Sequence, residues 1–256
     1  MSRLPSLPDV LFCRQCIACG EILPLFYDDE FCCDCRKSVK KLTDNELVLT
    51  HIIKAKSLFI YDGALRQALI NLKYNNNAKS GRYIAKEMAK LIQKDKEFMS
   101  VDYVINVPNG KYTTNRLYNQ SMFLAKDIAK RCKLKYFPDA LKKKRGIKSQ
   151  SKCKTRLERK ENIKTAFYVP KGLDLKGKSF LIIDDILTTG STLNACAEAL
   201  EKAGAGKIYA ATAARALSSI KPIKIKLLDA DIVFTKKPTV HYKFKNVNAH
   251  NINGKT

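Results

Sequence analysis

The sequence is poor in acidic residues and has no long apolar run. Stretches such as Phe180–Ile183 fall far below the roughly 20 residues that a bilayer-crossing helix needs, and the first residues lack the apolar segment of a signal peptide. These absences lead to the expectation of a cytoplasmic protein without membrane insertion. Only 24 Asp and Glu face 48 Lys and Arg, a formal charge of +24. Such a balance attracts polyanions and makes association with them fast and salt-sensitive. Nucleic acid is the obvious candidate, and a surface of merely solvated lysines is the bland alternative. With 256 residues, 45% of them hydrophobic, the chain is no disordered polymer and can bury one main core plus a small appendage.

Six of the nine cysteines crowd between Cys13 and Cys35. Clustering without an export signal favours metal over disulfides. Cys16-x-x-Cys19 and Cys32-x-x-Cys35 have the spacing of a tetrahedral zinc site, each pair giving two thiolates from one tight turn, with Gly20 suited to the knuckle. Four thiolates would close the coordination sphere and leave a structural Zn2+ rather than a catalytic one. Cys13 makes a rival CxxC with Cys16, and Cys33 is surplus. Reduced cysteines in a hydrophobic cluster are the alternative to metal, and Cys132, Cys153, Cys196 and His51 show no partner pattern.

Three regions follow from the pattern: a cysteine-rich module over 1–45, a main domain over 55–217, and a basic tail over 218–256 with no firm period. Within the main domain, helices are expected over Ala64–Tyr74, Gly81–Lys94, Gln120–Lys133 and Leu193–Ala203. Strands are expected over Val101–Val107, Ala166–Val169, Ser179–Ile183 and Lys207–Thr212. The strand-helix-strand order implies an α/β fold with a parallel sheet flanked by helices.

The chemistry concentrates in Phe180–Thr192, FLIIDDILTTGST. A buried strand brings Asp184 and Asp185 to its C-terminal edge, where open parallel sheets place their ligands. Adjacent carboxylates there need hydrogen-bond donors, and ribose hydroxyls are suitable ones. Thr188, Thr189, Gly190, Ser191 and Thr192 join strand to helix and would cradle a phosphate monoester through backbone N–H groups and hydroxyls. Ser191 or Thr192 could instead be only a helix N-cap, a role that leaves the acid pair unexplained. Gly172-x-x-x-x-Gly177-Lys178-Ser179 matches a P-loop formally, but it runs into a strand instead of opening a helix.

FLIIDDILTTGST resembles the signature by which phosphoribosyltransferases bind phosphoribosyl pyrophosphate (PRPP), and the surrounding chain resembles the ComF family. The CxxC pair, Tyr61-Asp62-Gly63, Leu72-Lys73-Tyr74, Val107-Pro108, Asn119-Gln120, Arg159-x-x-Asn162 and Ala214-Arg215 carry that likeness in order. It implies a type I phosphoribosyltransferase-like fold with a zinc-stapled module and a role in natural competence. It also implies that Val107, Pro108 and Asn109 face pyrophosphate and that Mg2+ arrives with PRPP. The chain departs from the family at Asn106 and Asn109, and at Leu117, where the family has glycine.

Between Lys142 and Lys164 stand eleven Lys or Arg against two Glu. Lys142, Lys143, Lys144, Arg145, Lys148, Lys152 and Lys154 could grip single-stranded DNA from a mobile loop, or close over PRPP. The first reading is therefore a PRPP-binding protein that assists uptake or processing of single-stranded DNA in natural transformation, with DNA-uptake or helicase proteins as partners. The second is an active phosphoribosyltransferase joining ribose 5-phosphate to a nucleobase, with no catalytic residue assignable. The third is a zinc-stapled nucleic-acid binder without ligand chemistry.

Overall fold

The computed structural model describes residues 13–43, 45–75, 77–109, 119–144 and 166–217, and the backbone of three strands beyond them. The chain divides into two compact units, 1–216 and 217–256. The second unit contains β8 (Lys224–Leu227), β9 (Ala230–Phe234) and β10 (Val240–Phe244), which form an antiparallel sheet in a stretch whose sequence has no firm period.

The first unit is built on a five-stranded sheet. Its strands are β1 (Glu46–Leu49), β2 (Ile52–Ile60), β3 (Tyr103–Asn106), β6 (Phe180–Leu187) and β7 (Ile208–Arg215), in the order β1-β2-β7-β6-β3. β2, β7, β6 and β3 run parallel, as expected, while β1 joins the edge antiparallel through a tight turn. The central strands are apolar in continuous runs because both faces are covered. Leu181 and Ile183 of β6 enter one core, and Phe180 and Ile182 enter the other. That is the period of two by which successive strand side chains point to opposite faces.

A short α1 (Cys33–Ser38) lies in the cysteine module. One face of the sheet carries α2 (Gly63–Tyr74), α3 (Ala78–Gln93), the short α4 (Lys96–Met99) and α5 (Gln120–Cys132). Each starts on a side chain that accepts a backbone N–H: Asp62, Asn77, Asp95 and Asn119 in turn. Ile84, Met88 and Ile92 of α3 are fully buried. The other face carries α6 (Ser191–Lys202), whose Leu193, Cys196, Ala197 and Leu200 are buried as the helical period requires.

Two boundaries differ from those expected. β6 runs on to Leu187, so the acid pair lies inside the strand's last turn of pleat instead of beyond its end. The basic segment does not begin as a loop: β4 (Lys142–Lys143) pairs antiparallel with β5 (Phe167–Tyr168). Both errors have one cause, since backbone pairing with a neighbour overrode the local polarity on which the boundaries were drawn. Among the described residues, no helix is long and apolar enough to cross a membrane.

The cysteine module belongs to the first unit and shares its core. Ile17, Leu23 and Phe31 pack in one cluster with Leu65, Leu72 and Ile84. Polar contacts fasten it further. Asn71 donates to the carbonyls of Ile17 and Ala18, and Ser38 donates to the Cys35 carbonyl while accepting from the Ala64 N–H.

Candidate functional site

Parallel pairing of β3 with β6 sets Asn106 opposite Ile183, and the Val107 N–H donates to the Ile183 carbonyl at 3.0 Å. The next residues, Pro108 and Asn109, thus leave the sheet beside Asp184 and Asp185. Pro108 is half-buried and Asn109 exposed. The wall they begin is braced from below. Tyr136 donates to Asn106 Oδ1 at 2.7 Å, and Asn106 and Asn119 both donate to the Val107 carbonyl, at 3.1 and 3.4 Å.

Asp184 and Asp185 are half-buried. Asp184 Oδ1 accepts from Ser121 Oγ at 2.8 Å and from the Asp185 N–H at 2.9 Å, while Asp185 Oδ1 accepts from the Ile186 N–H at 2.8 Å. Burial, and then the neighbouring Asp185 carboxylate, push the Asp184 pKa up to about 8. The Ser121 and backbone bonds pull the other way and do not offset it. A carboxyl in this position stabilises whatever donor or cation reaches its open edge, which is the demand expected of a site built for a ligand.

After β6 the chain turns through the exposed Thr188 and Thr189 into α6. Gly190 is the N-cap, at φ 75°, in the left-handed region that favours glycine. The alternative that Ser191 or Thr192 serves as the cap is therefore incorrect. Both are the first, half-buried residues of the helix, and Thr189 Oγ1 lies 2.9 Å from Ser191 Oγ. Gly190 also has a packing role: a Cβ on it would stand 2.6 Å from Leu49 Cδ2. The close approach expected of a ligand at this glycine is made on its other side by the edge strand. Strand, turn and helix together offer two carboxylates for a diol and a hydroxyl-lined helix start for a phosphate.

Ser121 and Leu49 were not among the expected site residues. Ser121 follows Asn119-Gln120 directly, so its place at the start of a helix was readable, but its reach to Asp184 depends on how α5 packs on the sheet. Leu49 left no signal, being an ordinary apolar residue of an edge strand.

The second cluster is the thiol group. The sulfurs of Cys16, Cys19, Cys32 and Cys35 all lie within 4.8 Å of one another, and those of Cys19 and Cys32 are 3.7 Å apart. A tetrahedron with zinc–sulfur bonds of about 2.3 Å has edges of roughly 3.8 Å, so the four could hold a metal such as zinc. Cys13 and Cys33 are exposed and lie outside the cluster, which removes the rival CxxC. Gly20 takes φ 82° and donates its N–H to the Cys16 carbonyl, closing the first knuckle. Burial opposes ionisation of Cys16, but backbone hydrogen bonds from Cys19, Cys32 and Ala18 prevail and bring its pKa down to about 7. Cys35 moves the other way, raised by burial and by its hydrogen bonds to the other three thiols.

Of the expected nucleic-acid residues, Lys142 and Lys143 lie in β4, Lys142 Nζ standing 3.7 Å from Asp139 and Lys143 Nζ over the Phe167 ring at 5.7 Å. Lys144 extends the hairpin by donating its N–H to the Ala166 carbonyl. Arg145, Lys148, Lys152 and Lys154 lie outside the described residues. His51, with no partner evident in sequence, places Nδ1 2.8 Å from Glu201 Oε2.

A phosphoribosyl transferase domain model matches residues 118–243. The chain is 28% identical over 155 residues to the competence protein ComFC of Streptococcus pneumoniae, covering 60% of this chain and 64% of that one. It is 31% identical over 108 residues to the DNA utilization protein YhgH of Escherichia coli, 42% and 46% of the two chains. A shorter match, 55% identical over 40 residues, is to a ribose-phosphate pyrophosphokinase of Thermococcus kodakarensis, 16% and 14% of the two. In each case the match spans less than two thirds of the relative's length.

Proposed function

We propose that the chain is a ComF-family, phosphoribosyltransferase-like protein, a reading supported by the domain match and by the ComFC and YhgH similarities, and that it binds PRPP with Mg2+ and serves the handling of single-stranded DNA in natural transformation. The observation that carries the ligand reading is the Asp184–Asp185 pair. It sits at the sheet edge beside Pro108 and Asn109 and runs through one turn into α6. In this reading Asp184 and Asp185 accept from the ribose hydroxyls, Thr188, Thr189, Gly190, Ser191 and Thr192 hold the 5′-phosphate, and Pro108 and Asn109 begin the pyrophosphate side. Mg2+ would neutralise phosphate charge and would be held chiefly by the ligand's own oxygens. The four thiols hold a structural Zn2+ that keeps the module docked on α2.

The DNA part of the proposal draws on the ComFC and YhgH similarities and on the charge of +24. Lys142, Lys143 and Lys144, at the base of the basic segment, are the described cations of that reading.

Calorimetric titration of PRPP with Mg2+ into the wild type and into Asp184→Asn/Asp185→Asn tests the ligand reading. Replacing both carboxyls by amides, which removes the negative charge and puts a donor in place of one acceptor oxygen on each residue, is expected to weaken binding by at least about 100-fold. Absence of binding to the wild type would sink the proposal. Pyrophosphate release across a panel of nucleobases then separates holding from turnover, and clear release would make the protein a transferase.

A further inference from the structure

Two adjoining cavities, of about 560 and 690 Å3, lie along the seam between the cysteine knuckle and helix α3, and share Gln15, Lys79 and Arg82 in their walls. No residue of the acid-pair site lines either one. The groove they form is strongly polar, and its two ends differ.

At the larger end most acids are already taken. Arg36 is bound to Asp29, Lys41 and Lys90 both reach Glu87, and Arg14 lies 3.5 Å from Glu30. Lys79, Arg82 and Lys86 are exposed and make no ion pair among the described residues. Their spacing of three and then four puts them on one face of α3, over about 10 Å of helix axis. Three aligned like charges repel one another, and an anion lying along the row would relieve that repulsion. A row of cations along a groove fits the regular negative charges of a phosphodiester backbone.

At the smaller end the lining turns to amides. Gln67 and Asn75 both donate to Asn71 Oδ1, at 3.1 and 3.2 Å, and Asn71 in turn donates to the carbonyls of Ile17 and Ala18 in the knuckle. One N–H of each amide is used in this way, and the amide oxygens of Gln67 and Asn75 accept no hydrogen bond among the described residues. Carbonyl acceptors beside a cation row match the amino groups of bases splayed from a single strand, which a duplex would keep paired.

We propose that this groove is a track for single-stranded DNA, separate from the basic segment that follows Leu141, with Lys79, Arg82 and Lys86 on the phosphates and Gln67 and Asn75 toward the bases. It rests on the DNA part of the function proposed above and gives that part a place. Because Asn71 hangs on the knuckle carbonyls, the amide end is held in shape by the thiol cluster.

The test is fluorescence anisotropy with a labelled mixed-sequence 20-mer and the full, metal-loaded chain, across a series of salt concentrations. Two triple variants are compared with the wild type: Lys79→Gln/Arg82→Gln/Lys86→Gln in the groove, and Lys142→Gln/Lys143→Gln/Lys144→Gln in the basic segment. Loss of three phosphate contacts is expected to weaken binding at least about tenfold near 0.1 M salt and to lower the salt slope by about 2. The groove variant's PRPP titration should match the wild type, since its residues lie outside that site. Wild-type affinity and slope in the groove variant overturn the groove proposal and leave the DNA reading standing. A wild type that binds no oligonucleotide overturns both.

Discussion

Four sulfurs within 4.8 Å of one another and two consecutive carboxyls on β6 both crowd groups that ionise to negative charge. The thiols converge from two separate knuckles, so a single cation could satisfy all four. Among the described residues the aspartates accept side-chain and backbone hydrogen bonds only from Ser121 and backbone N–H groups, and burial with the neighbouring carboxyl holds the Asp184 pKa up at about 8. Crowding that closes on itself marks a structural centre, and crowding with an open edge marks a binding one. That contrast separates stability from affinity and can be tested on each side.

Metal removal carries the largest expected effect. Structural zinc contributes free energy directly to folding, so stripping it, or replacing Cys16 or Cys32 by Ser, should lower Tm by more than about 10 °C. Calorimetry with metal analysis checks this, and Cys13→Ser with Cys33→Ser should change neither the melt nor the metal content. Equal losses from both sets would break the assignment of four ligands.

Next in size is Gly190→Ala, which meets both the positive φ and the Leu49 contact. Its expected cost of about 2–3 kcal/mol corresponds to roughly 5–10 °C in Tm. Adding Leu49→Ala should recover the steric part only. A double variant no better than Gly190→Ala alone would remove Leu49 from the account.

Proton linkage on the acid pair gives the sharpest test. In the folded chain Asp184 keeps its proton up to about pH 8, whereas the unfolded chain releases it near the ordinary 3.8. The native state therefore binds more protons between these values, and Asp184's contribution to stability falls as pH rises through that window. Asp184→Asn should flatten this dependence in unfolding curves taken across the window. Ser121→Ala removes a bond that favours the charged carboxylate, so it should weaken PRPP binding about threefold to tenfold and release more proton heat on binding. A Ser121→Ala variant indistinguishable from wild type in both would make that bond incidental.

Much of this was legible in order along the chain. The CxxC spacing, the continuous apolar run Phe180–Ile183 and the helical period of Leu193, Cys196, Ala197 and Leu200 are local patterns, and local patterns survive folding. The helix after Asn119 starts at Gln120 as expected, whereas the one after Asn77 starts at Ala78, three residues before the expected Gly81. The strand ends were harder. β6 continued through two aspartates because β7 supplied backbone partners as far as Arg215, which no propensity of Asp announces.

The sequence by itself determined the residue types proposed to meet the ligand, the two CxxC turns that offer thiols to a metal and the strand-helix-strand unit that implies a parallel sheet, because each is a pattern local to its own stretch of chain. Tertiary structure decided which four of six clustered cysteines converge, that Ser121 reaches Asp184 across 63 positions, that Leu49 closes on Gly190, and that Lys79, Arg82 and Lys86 face the knuckle across a groove. Those relations join residues far apart in the chain, and they are set by how helices and edge strands settle on a shared core, where packing and not local preference has the larger free energy.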